Sequence, residues 1–131
     1  MNLTVYSQNR LRQTFVSWGV PKDFADPMYN YLVHGYQPGS FFTYALANDF
    51  AKAILSSHPA NTIAALKTLV GWMRDTLPEE TWGSHAKVDA WCDMTAALRR
   101  PVLEQHRLVY TERDEVWMAL KDQPTQEPVL Y

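Results

Sequence analysis

Several things that usually betray a function are scarce in this sequence. Cysteine occurs once, as Cys92. No intrachain disulfide can therefore form, and a lone thiol fits a reducing compartment. No apolar run approaches the roughly 20 residues needed to cross a bilayer. Residues 1–10 (MNLTVYSQNR) lack the basic start and apolar stretch of a secretory signal. The expectation is a cytoplasmic protein with no membrane partner. Charge of one sign is also lacking. Residues 1–65 hold four Lys/Arg and three Asp/Glu, a net of +1, and residues 66–131 hold eight and eleven, a net of −3. Nucleic-acid binding is disfavoured, because phosphate recognition usually shows as a basic patch or stripe. Pro38-Gly39-Ser40 lacks the glycine-rich run and following lysine of a phosphate loop.

What is present is apolar and helical in its spacing. The chain has 131 residues, 47% hydrophobic and 13% aromatic, enough for one globular core. Over residues 60–77, Ile63, Leu66, Val70, Met73 and Leu77 recur at helical intervals, with Leu69 and Trp72 widening the stripe. Pro78 stops that helix, and Gly71 within it costs about 1 kcal/mol against alanine. Residues 40–56 read as a second helix, capped by Ser40 and facing inward through Phe42, Ala45, Leu46, Phe50, Ala53 and Ile54. Pro59 disfavours helical geometry at His58, so the two helices are expected as antiparallel neighbours.

Asp26-Pro27 reads as a cap and first helical residue, with Gly35 closing that short helix. Residues 8–18 predict a helix with Leu11, Phe15 and Trp18 on one stripe, broken by Gly19-Val20-Pro21. Ser84 caps a helix carrying Val88, Trp91, Cys92 and Thr95 that ends before Pro101. Residues 101–110 suit helix or extended chain. Thr111 and Asp114 resemble a capping box leading to Val116, Trp117 and Leu120. The expected fold is all-α, a compact single-domain bundle of about five or six helices over residues 1–121, with an irregular tail over 122–131.

Candidate chemistry is sparse. His85, Asp89 and Cys92 fall at i, i+4 and i+7 on one helical face, with Asp93 beside them. Those donor types can bind zinc, but the paired Cys or His pattern of a structural site is absent, so no metal is assigned. A small hydrolase or transferase using Cys92 and His85 requires a favoured thiolate and a base within reach. Asn48-Asp49 interrupts an otherwise apolar helix. If buried it needs polar partners, and if exposed it lies beside Lys52. Nothing calls for a cofactor. Aromatics are denser than catalytic groups: Tyr29, Tyr31, Tyr36, Phe41, Phe42 and Tyr44 lie within sixteen residues. Tyrosine combines a large contact area with a polar tip, which suits protein binding. Tyr36, Phe41 and Tyr44 are the candidate contacts.

Residues 24–92 resemble a family of small uncharacterised proteins of tailed bacteriophages and prophages. The residues concerned are Tyr31, His34-Gly35, Pro38-Gly39-Ser40-Phe41, Leu46 and Asn48-Asp49. They continue through Leu66, Leu69-Val70, Pro78, Trp82-Gly83-Ser84, Lys87-Val88 and Trp91. Family members often carry a cysteine just before the Trp-Gly-Ser segment, where this chain has Thr81. The resemblance implies a phage accessory protein that binds a host bacterial protein and inhibits or modulates it by steric occlusion, in the host cytoplasm. A homodimer is a further partner state. The other classes are the Cys92/His85 enzyme and a DNA-binding helix-turn-helix within 40–77, where residues 60–77 offer only Lys67 and Arg74.

Overall fold

Helix formation begins almost at once. The computed structural model describes residues 3–56 and 62–109, with the side chains of the first helix from Gln8 onward. Seven α-helices and no strand occur among the described residues. They are α1 (Leu3–Trp18), α2 (Ala25–His34), α3 (Ser40–Leu46), α4 (Phe50–Leu55), α5 (Ile63–Thr76), α6 (His85–Asp93) and α7 (Ala96–Gln105). Short 3₁₀ turns at Lys22–Phe24 and Glu79–Thr81 lead into α2 and α6. The all-α expectation holds, with more and shorter helices than expected.

Two helix starts are capped by side chains. Ala65 N–H donates to Thr62 Oγ1 at 3.0 Å, and Lys87 N–H donates to Ser84 Oγ at 3.1 Å. Ser40, expected as a cap, is instead the first residue of α3, and Gly39 occupies the cap position. Similarly, α2 begins at Ala25, one residue before the Asp26-Pro27 pair. Its predicted end at Gly35 is as observed. The helix expected over 40–56 is two. Asn48 adopts φ 63°, the left-handed region that Asn tolerates better than most residues, and α3 stops there. Pro101 does not end a helix but lies inside α7. The carbonyl its missing N–H leaves unbonded belongs to exposed Ala97, so water can satisfy it. His58, Pro59 and the helix expected after Thr111 lie outside the described residues, as does the 121/122 boundary.

One hydrophobic cluster unites these elements. Phe15 of α1 meets Trp72 of α5 edge-on at 4.7 Å, and both are fully buried. Leu66, Leu69 and Met73 complete the inner stripe of α5 as its periodicity predicts, but Ile63 at the first position is 67% exposed. Helix α2 packs against both α1 and α7, whereas α3 packs against α4 and α6. The segment between α2 and α3 thus bridges the two groups.

Gly71 is the one mid-helix glycine, and the space beside it is open. A Cβ there would meet only Trp18 Cζ3, at 3.9 Å, an ordinary contact. Gly71→Ala should therefore stabilise the fold by about 1 kcal/mol, raising Tm by about 4 °C in a thermal melt. A fall in Tm would show that α1 needs the glycine.

Candidate protein-binding surface

The carbonyls ending a helix need donors from elsewhere, and at α2 they come from three sources. Gly35 turns left-handed at φ 69°, and its N–H returns to Tyr31 O at 3.0 Å. Trp91 Nε1 on α6 donates to Tyr31 O at 3.2 Å and Leu32 O at 3.1 Å. Arg99 on α7 donates through Nε to Val33 O at 3.2 Å. Its Nη1 also donates to the carbonyls of Met94 and Trp91 at the end of α6. Arg99 is buried and has no carboxylate partner among the described residues. Its charge faces the carbonyl ends of two helices, where the macrodipoles are negative. A Cβ on Gly35 would fall 2.5 Å from Arg99 Nη1, so both conformation and space demand glycine.

This turn delivers Tyr36 to the surface. Its side chain is 63% exposed and stacks on the His34 ring at 5.3 Å with 29° between the planes. His34 in turn meets buried Tyr29 edge-on at 6.0 Å. The far end of the segment is also held, because Thr43 Oγ1 donates to Pro38 O at 3.0 Å. Two shallow depressions flank Gln37 and Pro38. One, of about 390 Å³, is walled by Asp26, Pro27, Asn30 and Tyr36. The other, of about 300 Å³, is walled by Ser40, Thr43, Tyr44 and His85.

The charges around both depressions are already matched. Asp26 accepts two bonds from Arg12, at 2.9 and 3.0 Å, and one from Gln8 at 3.3 Å. The Arg12 hydrogen bond holds the Asp26 carboxyl below the usual carboxylate range. On the other side, Asp49 Oδ2 lies 3.2 Å from His85 Nε2 and 3.8 Å from Lys52 Nζ. Lys52 also sits 5.8 Å over the Tyr44 ring. The Trp82-Gly83-Ser84 segment anchors this corner. Gly83 N–H donates to Leu46 O at 2.7 Å, satisfying the end of α3. Tyr31 Oη donates to Thr81 O at 2.7 Å, and Thr81 Oγ1 to Pro78 O at 2.7 Å. Burial pushes the Tyr31 phenol above its ordinary pKa, keeping it a donor.

The sequence-predicted residues divide. Tyr36 is exposed and Tyr44 half-buried beside His85. Phe41 is a correction: it is 4% exposed and packs on Phe24 at 5.5 Å and Phe42 at 5.3 Å, so it is core. His85 reaches across to Asp49 and does not converge with Asp89 and Cys92. No group of three or more His, Cys, Asp or Glu among the described residues is placed to hold a metal. Burial pushes the Cys92 thiol up, with Asp89 and Asp93 adding and Arg99 opposing. That is the reverse of what a nucleophile needs.

The chain matches no protein-family model, no curated protein and no solved structure. Sequence reasoning missed Arg99 because its carbonyl partners include one 66 residues away, and a basic residue there carries no local signature. It also missed Asp49 as the partner of His85, 36 residues on.

Two outcomes follow from this geometry. Arg99→Met should cost about 3 kcal/mol in urea unfolding, since it strips charged donors from buried carbonyls, and Arg99→Lys should lie between it and wild type. Equal stability of Arg99→Met and wild type would remove the clamp. In the folded protein at pH 8, Cys92 should react with iodoacetamide about tenfold more slowly than in the urea-unfolded chain. Faster reaction in the folded protein would restore Cys92 as a nucleophile.

Proposed function

We propose that this protein works by binding another protein through the Tyr36-centred surface and occluding it. The observation that carries this reading is Tyr36 itself. A large ring, mostly exposed, is held on His34 at the wall of one depression by a turn locked from below. A rigid aromatic with a polar tip, surrounded by Asn30, Gln37, Ser40, Thr43 and Tyr44, has the composition favoured at protein interfaces. The fixed backbone reduces the ordering cost of association. The resemblance over residues 24–92 directs the partner to a host bacterial protein and the role to a phage accessory factor.

The enzymatic reading has less support. Cys92 is disfavoured as a thiolate, and the ring contact of His85 is with Asp49 and not with that thiol. DNA binding has little more, because α5 carries only Lys67 and Arg74 as basic residues.

Affinity capture from a bacterial host lysate, followed by mass spectrometry, tests the proposal. The wild type should retain a host protein, and Tyr36→Ala should weaken its direct binding by about 2 kcal/mol, near thirtyfold, with Tm unchanged. Phe41→Ala is unsuitable as a control, since it opens the core. Capture of no protein, or of the same protein equally by Tyr36→Ala, would overturn the assignment. Retention of this chain alone would replace occlusion of a host protein with homodimerisation.

A further inference from the structure

The shape and charge of the Gln37–Pro38 ridge narrow the partner beyond a protein in general. The ridge parts two depressions of about 390 and 300 Å³, and each has one tyrosine in its wall. Tyr36 in the first is backed by His34, and Tyr44 in the second by the Lys52 ammonium. A cube of the larger volume is only about 7 Å on a side, narrower than the 10–12 Å cylinder of a helix. An extended chain can enter both depressions where a helix would ride above them. Charge sets a second limit. Asp26 is matched by Arg12, and Asp49 by Lys52 and His85, so a strongly acidic or basic segment finds no counterpart.

Neutral hydrogen-bonding groups, by contrast, are free. The side chains of half-buried Asn30 and of exposed Gln37 and Ser40 make no hydrogen bond among the described residues. All three can donate to carbonyl oxygens. A proline-rich segment in the polyproline II form answers this description. It is uncharged, its carbonyls have no internal partners, and its rings pack on aromatic side chains. We propose that the Tyr36 surface takes an extended proline-rich segment of the partner protein. The segment crosses the Gln37–Pro38 ridge with one prolyl ring on Tyr36 and another on Tyr44. This inference rests on the reading of Tyr36 as the binding surface and adds what that surface recognises.

Spacing and ordering favour this occupant over a flexible one. The ridge is two residues wide, at most about 7 Å along the chain, and prolines three apart in polyproline II lie on one face about 9 Å from each other. Consecutive rings on that face can therefore straddle it. Both depressions are shallow, so the contact area is small. A flexible segment would lose much of that gain in fixing its backbone. A polyproline II segment is extended and stiff before it binds, and the ridge is held at both ends, so neither side has much freedom left to lose.

Titration of the isotope-labelled full chain with acetylated decaproline, followed by amide chemical shifts, tests the proposal. Asn30 and Gln37 on one side of the ridge and Ser40 and Tyr44 on the other should shift together, with a Kd of about 0.1–1 mM. A glycine-serine peptide of the same length should bind at least about tenfold more weakly. Tyr36→Ala should weaken decaproline binding about tenfold while the amides of α5 keep their wild-type shifts, which shows the fold intact. No shifts with decaproline, shifts confined to one depression, equal binding of the glycine-serine peptide, or indifference to Tyr36→Ala would each overturn the proline-rich assignment. Failure of decaproline to bind, alongside Tyr36-dependent capture of a host protein, would overturn this assignment alone and leave the surface reading standing. Decaproline binding with no host protein retained would remove the host partner and keep the proline-rich site.

Discussion

Everything around the exposed tyrosine depends on one buried cation. Arg99 sits on α7, yet its hydrogen bonds go to the ends of α2 and α6. A guanidinium without a carboxylate would be costly to bury if it were left unpaired. Here its donors meet carbonyls that the helices themselves cannot satisfy, so two deficits cancel. Trp91 reinforces the arrangement by spending its indole N–H on the preceding two carbonyls of α2. Three helices are thereby fixed at one point. Gly35 is the consequence, because the guanidinium occupies the space any side chain there would need.

The local part of this architecture was legible, and the long-range part was not. Ser84, Gly35 and Pro78 act through their own backbones or over three residues, so sequence spacing exposes them. The inner stripe of α5 was equally plain, because burial there follows the helical period. Asn48 failed because the apolar pattern runs straight through the break. A left-handed turn needs one permissive residue and leaves periodicity nearly unchanged. Pro101 failed for a related reason. An interior proline loses a hydrogen bond and crowds the carbonyl four residues back, a cost that is smaller where that carbonyl can reach water, and exposure at Ala97 was invisible in sequence. Arg99 and the Asp49–His85 contact are tertiary facts with no sequence period at all.

Aromatic density posed a subtler problem. Six rings between residues 29 and 44 indicated that some would reach the surface without saying which. Tyr29, Tyr31 and Phe41 go inside, Phe42 and Tyr44 are partly covered, and Tyr36 is left out. The division follows from geometry. Residues of α2 and α3 facing the core are fixed by helical phase, whereas Tyr36 follows the left-handed residue that ends α2. Position after such a turn does not decide burial by itself, since Val20, which follows left-handed Gly19 at the end of α1, is buried. The Tyr36 ring stacks on His34.

The two glycine-containing segments are one support seen twice. Gly35 turns the chain outward beneath Tyr36, and Gly83 satisfies Leu46 at the end of α3, closing the other side of the Gln37–Pro38 ridge. Tyr31 links them from within, since its backbone carbonyl accepts from Trp91 and its hydroxyl donates to Thr81. The ridge is thus fixed at Gly35, Pro38 and Leu46. A surface so constrained loses little further freedom on association, and its two depressions keep a constant relation to the exposed ring. The charged groups beside the ridge are held as well, His85 and Lys52 on Asp49 and Arg12 on Asp26.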